Sequence, residues 1–580
     1  MARVKLAVAA TAALALGLAG CGSPSSNNSS KPSNGATGGI STATEAIDAT
    51  AKGPAAEIPG AHKGGTMTVY SQATPNNLDP TDIYYTDSAE IAKLVYRTPT
   101  QFDIRNGKPT LVPDLTDLGT ASADKLTWTF KLQPNIKYDD GTAVKVDDLA
   151  YAIKRSFAHD VFPDGATYQQ TYFKDGDKYK GPYKDGLTYS GVETTGTDTL
   201  IIHLSKPFAD LPFYMTFPLF TPIPQAKDTK QDYQSHPLAT GPYKFDSFTV
   251  GSELKLVKNT NWDPSTDAAR HQYVDGWDFK WAQDDVKTQQ QVLNSSGPDA
   301  SAINYVDIDA SLVPQLTGDK VKQLVQGEGP CTFLTQMDTR KIPLEVRKAV
   351  ATAWPYDQLW KAAGINDYIG ERASTILPPS IPGYTKYTPL PGLSGVGPGD
   401  PVAAKQMLTA AGKVGFELSY YYDNTKPIPQ QVSQVRTEAL TKAGFKVKAI
   451  GVATADLRTK TSDYTAPVNM GQSPRGWCSD WPDGTSWMPV LFESSSLANG
   501  LSWGEMTDKS LDAEINAISD LAPDAAAAKW GPEDQKIMGL YIGMPGYYTK
   551  MGVVKGTNVG TTVGDPTQGM PLFQSMYLAS

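Results

Sequence analysis

The chain has 580 residues, a formal net charge of −9 and 40% hydrophobic residues, among them 11 Trp, 28 Tyr and 17 Phe. That length exceeds what one hydrophobic core holds, so two or three domains are expected, and the composition is that of a globular protein rather than a disordered one. The acidic balance and the lack of a Lys/Arg cluster exclude nucleic acid as a partner, because phosphate binding needs clustered cations.

The N-terminus reads as a targeting segment. Arg3 and Lys5 form a short positive region, and Leu6 to Leu18 is an Ala/Leu stretch too short to span a bilayer comfortably. It ends in Leu18-Ala19-Gly20-Cys21, which resembles the lipobox of bacterial lipoproteins. That resemblance implies removal of residues 1–20 and acylation of the Cys21 sulfur, against the alternative of an ordinary secretory signal with a chance cysteine. Acyl chains anchor a protein without a transmembrane helix, and no second apolar run is long enough to span. Residues 21–61 are mostly Ser, Asn, Gly, Thr, Ala and Pro. Such a segment buries too little apolar surface to offset the entropy of ordering, so a flexible tether is expected.

The folded part is expected from His62 to Ser580, without internal repeats and with strands and helices mixed. Leu126, Trp128, Phe130 and Leu132 alternate with polar residues, the period of a half-buried strand, and Asp139-Asp140-Gly141 follows as a turn. Val146, Leu149, Ala150, Ile153 and Phe157 recur at helical spacing. Leu200, Ile202 and Leu204 predict another strand, as do Leu254 and Leu256. Later, Val432, Val435, Ala439 and Ala443 mark a helix stopped by Gly444, and Phe445, Val447 and Ala449 alternate at once; this order predicts an α/β layer.

The sequence has no phosphate-binding Gly-x-x-x-x-Gly-Lys-Ser/Thr loop, no His-Glu-x-x-His and no Gly-x-Ser-x-Gly elbow, so nothing in it supports an enzyme or a bound cofactor. The five histidines, His62, His159, His203, His236 and His271, stand singly and without metal-ligand spacing. Cys331 and Cys478 remain after Cys21, an even pair in an exported chain. A bridge between them would close a loop of 147 positions; the alternative is two buried thiols.

Several segments in order resemble the family of large peptide-type solute-binding proteins, family 5. They are Asn77-Leu78-Asp79-Pro80, Leu94-Val95-Tyr96-Arg97, the strand from Leu126, Lys137 to Thr142, Asp147 to Arg155, Ala239 to Phe245, Leu344 to Ala349 and Ala403 to Gly412. Pro330-Cys331-Thr332 and Gly476-Trp477-Cys478-Ser479-Asp480-Trp481 are similar to the two segments that carry the disulfide of oligopeptide-binding members, which implies a Cys331–Cys478 bridge.

The resemblance implies a two-lobe α/β fold of the periplasmic-binding-protein type II class (large cluster C type), with an extra subdomain in lobe I and a two-segment hinge. The expected layout is lobe I over 62–104 and 206–328, the extra subdomain over 105–205, lobe II over 329–545 and a return to lobe I over 546–580. The chain crossings are expected near Gly327–Pro330 and Met544–Tyr547. The implied function is peptide capture between the lobes and delivery to an ABC permease, by a monomer held at the extracytoplasmic face of the membrane through Cys21. In such relatives the acid two residues after the second cysteine binds the peptide's α-ammonium, the place of Asp480 here. A carboxylate in a water-poor cleft suits that task through a charge-assisted hydrogen bond; the bland alternative is that Asp480 only opens the turn before Trp481-Pro482-Asp483-Gly484.

Gly476 and Trp477 are further expected contacts, with Trp481, Trp487 and Trp503 divided between ligand and core. Arg475 stands near the place where relatives carry an arginine for a peptide carboxylate. Tyr84, followed by Tyr85 and Thr86, stands where they often carry an acid, and Tyr168 is a contact expected from the extra subdomain. The same fold also serves relatives that take nickel complexes, haem, sugars or opines; a lipid-anchored hydrolase or sensor is the reading from another class.

Overall fold

The structure is a computed structural model and describes residues 46–471, 475–498, 500–560 and 564–579, without the side chains of residues 46 and 475. The expected signal peptide and Cys21 lie outside the described residues.

A nine-stranded mixed sheet forms the backbone of the molecule. Its strands run in the order Arg475–Cys478, Leu324–Gln336, Gly543–Lys555, Ala302–Asp307, Thr66–Tyr70, Gly276–Lys280, Glu253–Lys258 and Tyr243–Thr249, with Gly370–Arg372 also on Gly543–Lys555. The two 13-residue strands Leu324–Gln336 and Gly543–Lys555 pair antiparallel along their length, from Leu324↔Val554 to Gln336↔Gly543. One end of this pair joins Ala302–Asp307, and the other carries Arg475–Cys478 and Gly370–Arg372. The ladder is interrupted between Glu328/Lys550 and Thr332/Tyr548, and its register shifts again between Phe333/Tyr547 and Leu334/Pro545. The two strands therefore pass together from one lobe to the other, and the break in their register marks the hinge. The first irregularity lies beside the Gly327–Pro330 segment and the second, between Tyr547 and Pro545, within Met544–Tyr547, while Gly370–Arg372 pairs with Tyr547–Thr549.

The cores divide as the strands do. One buried cluster draws all its members from between Leu334 and Met544, including Trp487, Trp503 and Trp530. A second lies under the sheet around Met67, Val69, Trp277, Phe279, Val553 and Phe573. A third fills the extra subdomain, where the four-stranded sheet of Thr120–Ala121, Thr127–Lys131, Thr199–His203 and Val192–Thr195 packs with helix Val146–Arg155. This is the two-lobe α/β fold with a subdomain inserted in lobe I. The predicted strands at 127–131, 199–203 and 253–258 and the helices at 146–155 and 427–442 are all present, and Gly444 stops the last with a φ of 90°, the conformation that a Cβ disfavours.

Packing corrects one expectation. The segment assigned to the tether through Ala61 lies against lobe I from Ala46 onward: Ala46 and Ile47 pair with Thr110 and Leu111, Asp48 meets Arg105 at 2.8 Å, and the Ala55 N–H donates to the Asp267 carbonyl at 3.0 Å. A composition poor in large apolar residues hid this, because backbone pairing and polar side chains such as Asp48 and Glu57, rather than apolar burial, make the contacts.

Gly329 stands at the hinge break, where a Cβ would overlap Thr549 Oγ1 and come within 2.9 Å of the Thr549 carbonyl. Replacing Gly329 by Ala is expected to lower stability by about 1–3 kcal/mol, the cost of forcing a side chain into packed backbone, measurable by urea titration.

Candidate functional site

A cavity of about 270 Å³ lies between the lobes. Lobe I supplies Tyr84, Tyr85 and the face of helix Thr86–Val95 that carries Thr86, Ala89, Ala92 and Lys93. These positions recur at three- and four-residue spacing, so they form one stripe along the helix, and the small Ala89 and Ala92 leave room above it. Phe102, Thr216, Phe217 and Pro218 close that side, and Thr567 and Gln568 add an edge from the C-terminal part. Lobe II supplies Gly476 to Asp480 from the strand Arg475–Cys478 and the turn after it.

That strand is placed by its pairing with Leu324–Gln336: Trp477 faces Thr332, Gly476 faces Phe333, and Cys331 stands opposite Cys478 with their sulfurs bonded. A Cβ at residue 476 would lie 2.6 Å from the Phe333 ring, so glycine permits the close approach. The Trp477 indole N–H donates to the Ser486 carbonyl at 2.9 Å, which fixes its ring on the cavity wall.

Asp480 is the charged group of the lobe II wall. Two tyrosines of lobe I hold it across the gap: Tyr84 Oη donates to Oδ1 at 2.9 Å and to Oδ2 at 3.1 Å, and Tyr168 Oη donates to Oδ2. Burial pushes the Asp480 carboxyl up to about 6, against the lowering effect of the Tyr168 and then the Tyr84 hydroxyl. Both phenols are held well above the usual tyrosine range, by burial and by the Asp480 charge, so they remain donors at any physiological pH. A carboxylate offers about four lone-pair sites; those left by the tyrosines suit a cation entering the cavity.

The structure thus brings Tyr84, Tyr85, Thr86, Gly476, Trp477 and Asp480 to one cavity, with Tyr168 behind Asp480. The Arg475 side chain lies outside the described residues. Trp487 and Trp503 are buried in lobe II, and Trp481 enters the aromatic cluster of lobe I. Sequence reasoning missed Lys93, Phe102 and Phe217. The helical stripe through Ala89 and Lys93 was a readable signal, but periodicity shows a face, not what the face meets. Lys93 is bound by Glu90 and Asp565, and so ties the segment bearing Thr567 and Gln568 to the helix. Ala89 is 9% exposed and opens on the cavity; Ala89→Phe is expected to weaken ligand binding roughly tenfold or more with little change in unfolding midpoint, as read by calorimetric titration and thermal melts.

A profile of the bacterial extracellular solute-binding proteins, family 5 Middle, matches residues 110–499. The chain belongs to this family. It is accordingly a binding protein and not an enzyme. Among curated relatives, the glutathione-binding protein GsiB of Escherichia coli (strain K12) is 24% identical over 443 residues, covering 73% of this chain and 78% of that protein. GsiB of Pectobacterium atrosepticum is 26% identical over 448 residues, 74% of this chain and 79% of its own. Among solved structures, clavulanic acid biosynthesis oligopeptide binding protein 2 superposes with a TM-score of 0.81 at 24% identity, over 92% of this chain and 100% of that one. The binding protein DppA from Helicobacter pylori, in complex with the peptide STSA, gives 0.68 at 17% identity over 90% and 99%. These likenesses speak for the fold of this family 5 protein. No helix among its described residues is long and apolar enough to cross a membrane.

Proposed function

We propose that this family 5 protein captures short peptides between its lobes and hands them to an ABC permease, from a lipid anchor on Cys21 at the extracytoplasmic face of the membrane. The observation that carries the reading is Asp480, a carboxylate of lobe II held at the cavity wall by Tyr84 and Tyr168 of lobe I. A peptide's α-ammonium meets that carboxylate in a charge-assisted bond, and the contacts needed to hold Asp480 exist only when the lobes are together, so ligand and closure favour each other. Trp477, Tyr85 and Phe217 give side chains apolar surface. The Cys331–Cys478 bridge belongs to this proposal, as the tie that keeps the Trp477–Asp480 segment on the hinge strand.

Calorimetric titration with free and N-acetylated peptides of two to five residues tests it. Free peptides are expected to bind, and acetylation to cost roughly a hundredfold, the scale of leaving one side of a buried charged pair unpartnered. If no peptide binds while an oligosaccharide or a metal chelate does, the peptide reading fails. The mass of the protein from its native membrane tests the anchor: a diacylglyceryl adduct at Cys21 is expected, and an unmodified cysteine overturns it.

A further inference from the structure

Asp210 lies outside the cavity, in lobe I at the start of the short helix Leu211–Tyr214, and is 2% exposed. Its partners come from the other lobe. Asp210 Oδ2 accepts the Trp481 indole N–H at 2.8 Å and the Thr485 hydroxyl. The Trp481 ring is seated among Tyr168, Phe208, Tyr214 and Phe217, all of lobe I, with centroid separations of 5.0 to 6.5 Å. Trp481 directly follows Asp480, the residue on the cavity wall.

We propose that Asp210 is a positioning residue for ligand capture: by receiving Trp481 and Thr485 it latches the 480–485 turn of lobe II onto lobe I and so holds Asp480 at the cavity. This rests on the reading that ligand is captured by closure of the lobes.

A second acid completes the latch. Asp483 is fully buried; its Oδ1 accepts the Thr485 N–H at 2.5 Å, while its Oδ2 has no hydrogen-bond partner among the described residues. Two carboxylates brought together away from water cannot both remain ionised. Burial, and then the charge of Asp483, push Asp210 up to about 8. The other titratable group facing it is Tyr172, whose phenol is raised by burial and by Asp210 and stays neutral. Asp210 therefore holds a proton when the lobes are together. With the lobes apart, Asp210 loses the cover of the 481–485 turn, meets water and titrates as an ordinary carboxylate. Closing takes up a proton, so the latch is complete at pH values below the ordinary carboxylate range and weakens as pH rises toward 8.

The experiment uses the full chain with spin labels at the exposed positions Val250 and Val414, one on each lobe, and follows interlobe distance and peptide affinity from pH 6 to 8.5. For the wild-type residue, the closed fraction and the affinity are expected to fall with rising pH, by up to roughly tenfold per unit, and to level above pH 8. Asp210→Asn carries a neutral amide in place of the protonated acid; it is expected to bind at least as tightly at pH 7.5 and to lose the part of the slope that Asp210 supplies, while titration of Asp480 near 6 and of the peptide's own ammonium affects both proteins alike. Asp210→Ala is expected to bind roughly tenfold or more weakly, through faster dissociation. Trp481→Phe, which removes only the donated N–H from a ring that still packs, covers the event that the alanine variant does not fold, with an expected loss of roughly threefold or more. The proposal is overturned if Asp210→Asn keeps the wild-type pH profile, or if the folded variants among Asp210→Ala and Trp481→Phe bind with wild-type affinity. Should no peptide bind any of these proteins, the peptide reading fails, and the label distances in ligand-free protein still decide the latch.

Discussion

Asp480→Asn is expected to reduce affinity for every peptide with a free N-terminus by roughly a hundredfold or more, while the melting temperature at pH 7 stays level or rises. The first half follows from the wall of the cavity. The amide keeps the shape of the acid and can still accept from Tyr84 and Tyr168, but it offers a buried ammonium no counter-charge. Loss of one partner from a desolvated charged pair costs about 2–5 kcal/mol. The second half follows from titration. The folded carboxyl sits near 6, above its ordinary 3.8, so its burial favours the fold below pH 3.8, and that advantage is lost as pH rises through 6. At pH 7 the ionised group opposes the fold by roughly 3 kcal/mol at most, which the amide removes. The gain in melting temperature should vanish near pH 4. Calorimetric titration with melts at pH 4 and 7 reads both halves. Unchanged affinity for all peptides in this variant would remove Asp480 from ligand binding; a sharply lowered melting temperature would make it a structural residue.

The second large effect concerns Cys331 and Cys478. Reduction, or the paired change Cys331→Ala with Cys478→Ala, is expected to lower unfolding free energy by about 2–4 kcal/mol, below the roughly 4–5 kcal/mol that loop entropy assigns to a closure of 147 positions. Affinity should fall as well. Cys478 lies between Trp477 and Asp480 on the cavity wall, and Cys331 lies in the strand that crosses the hinge. Without the bond, the four-residue strand Arg475–Cys478 is held at the edge of the sheet by its ladder alone. Urea titration with and without reductant, together with the intact mass, checks this. A mass two hydrogen atoms heavier than the bonded form, with an unchanged midpoint, would show that the thiols are free.

Much of the fold was legible in the sequence. Period-two and period-3.6 patterns mark the strands at 127–131 and 199–203 and the helices at 146–155 and 427–442, because alternation and helical stripes are imposed by burial of one face. The motif residues behind the family resemblance turn out to hold the fold rather than the ligand. Arg155 grips Asp79 at 2.6 and 2.7 Å with both groups buried, and Arg97 meets Asp114 at 2.6 Å. Such pairs persist because removing one partner strands a buried charge. The site was legible only in part. Gly476, Trp477 and Asp480 lie together in the chain beside a cysteine, and so could be found by reading along it. Phe217, Lys93 and Gln568 come from distant segments whose spacing carries no sign of a cavity.

The sequence by itself determined the family and its α/β class and which local elements the chain forms, and it singled out Asp480, two places after Cys478, as the acid on which the proposed ligand contact rests. Tertiary structure alone decided that residues 46–61 lie on the body, that Tyr84 and Tyr168 reach across to Asp480, and that Asp210 receives Trp481. The division has one physical reason. Burial periodicity and backbone preference act between residues a few positions apart and leave their mark on the chain, whereas Tyr84 and Asp480, 396 positions apart, meet only because two hinge strands bring two separate cores face to face.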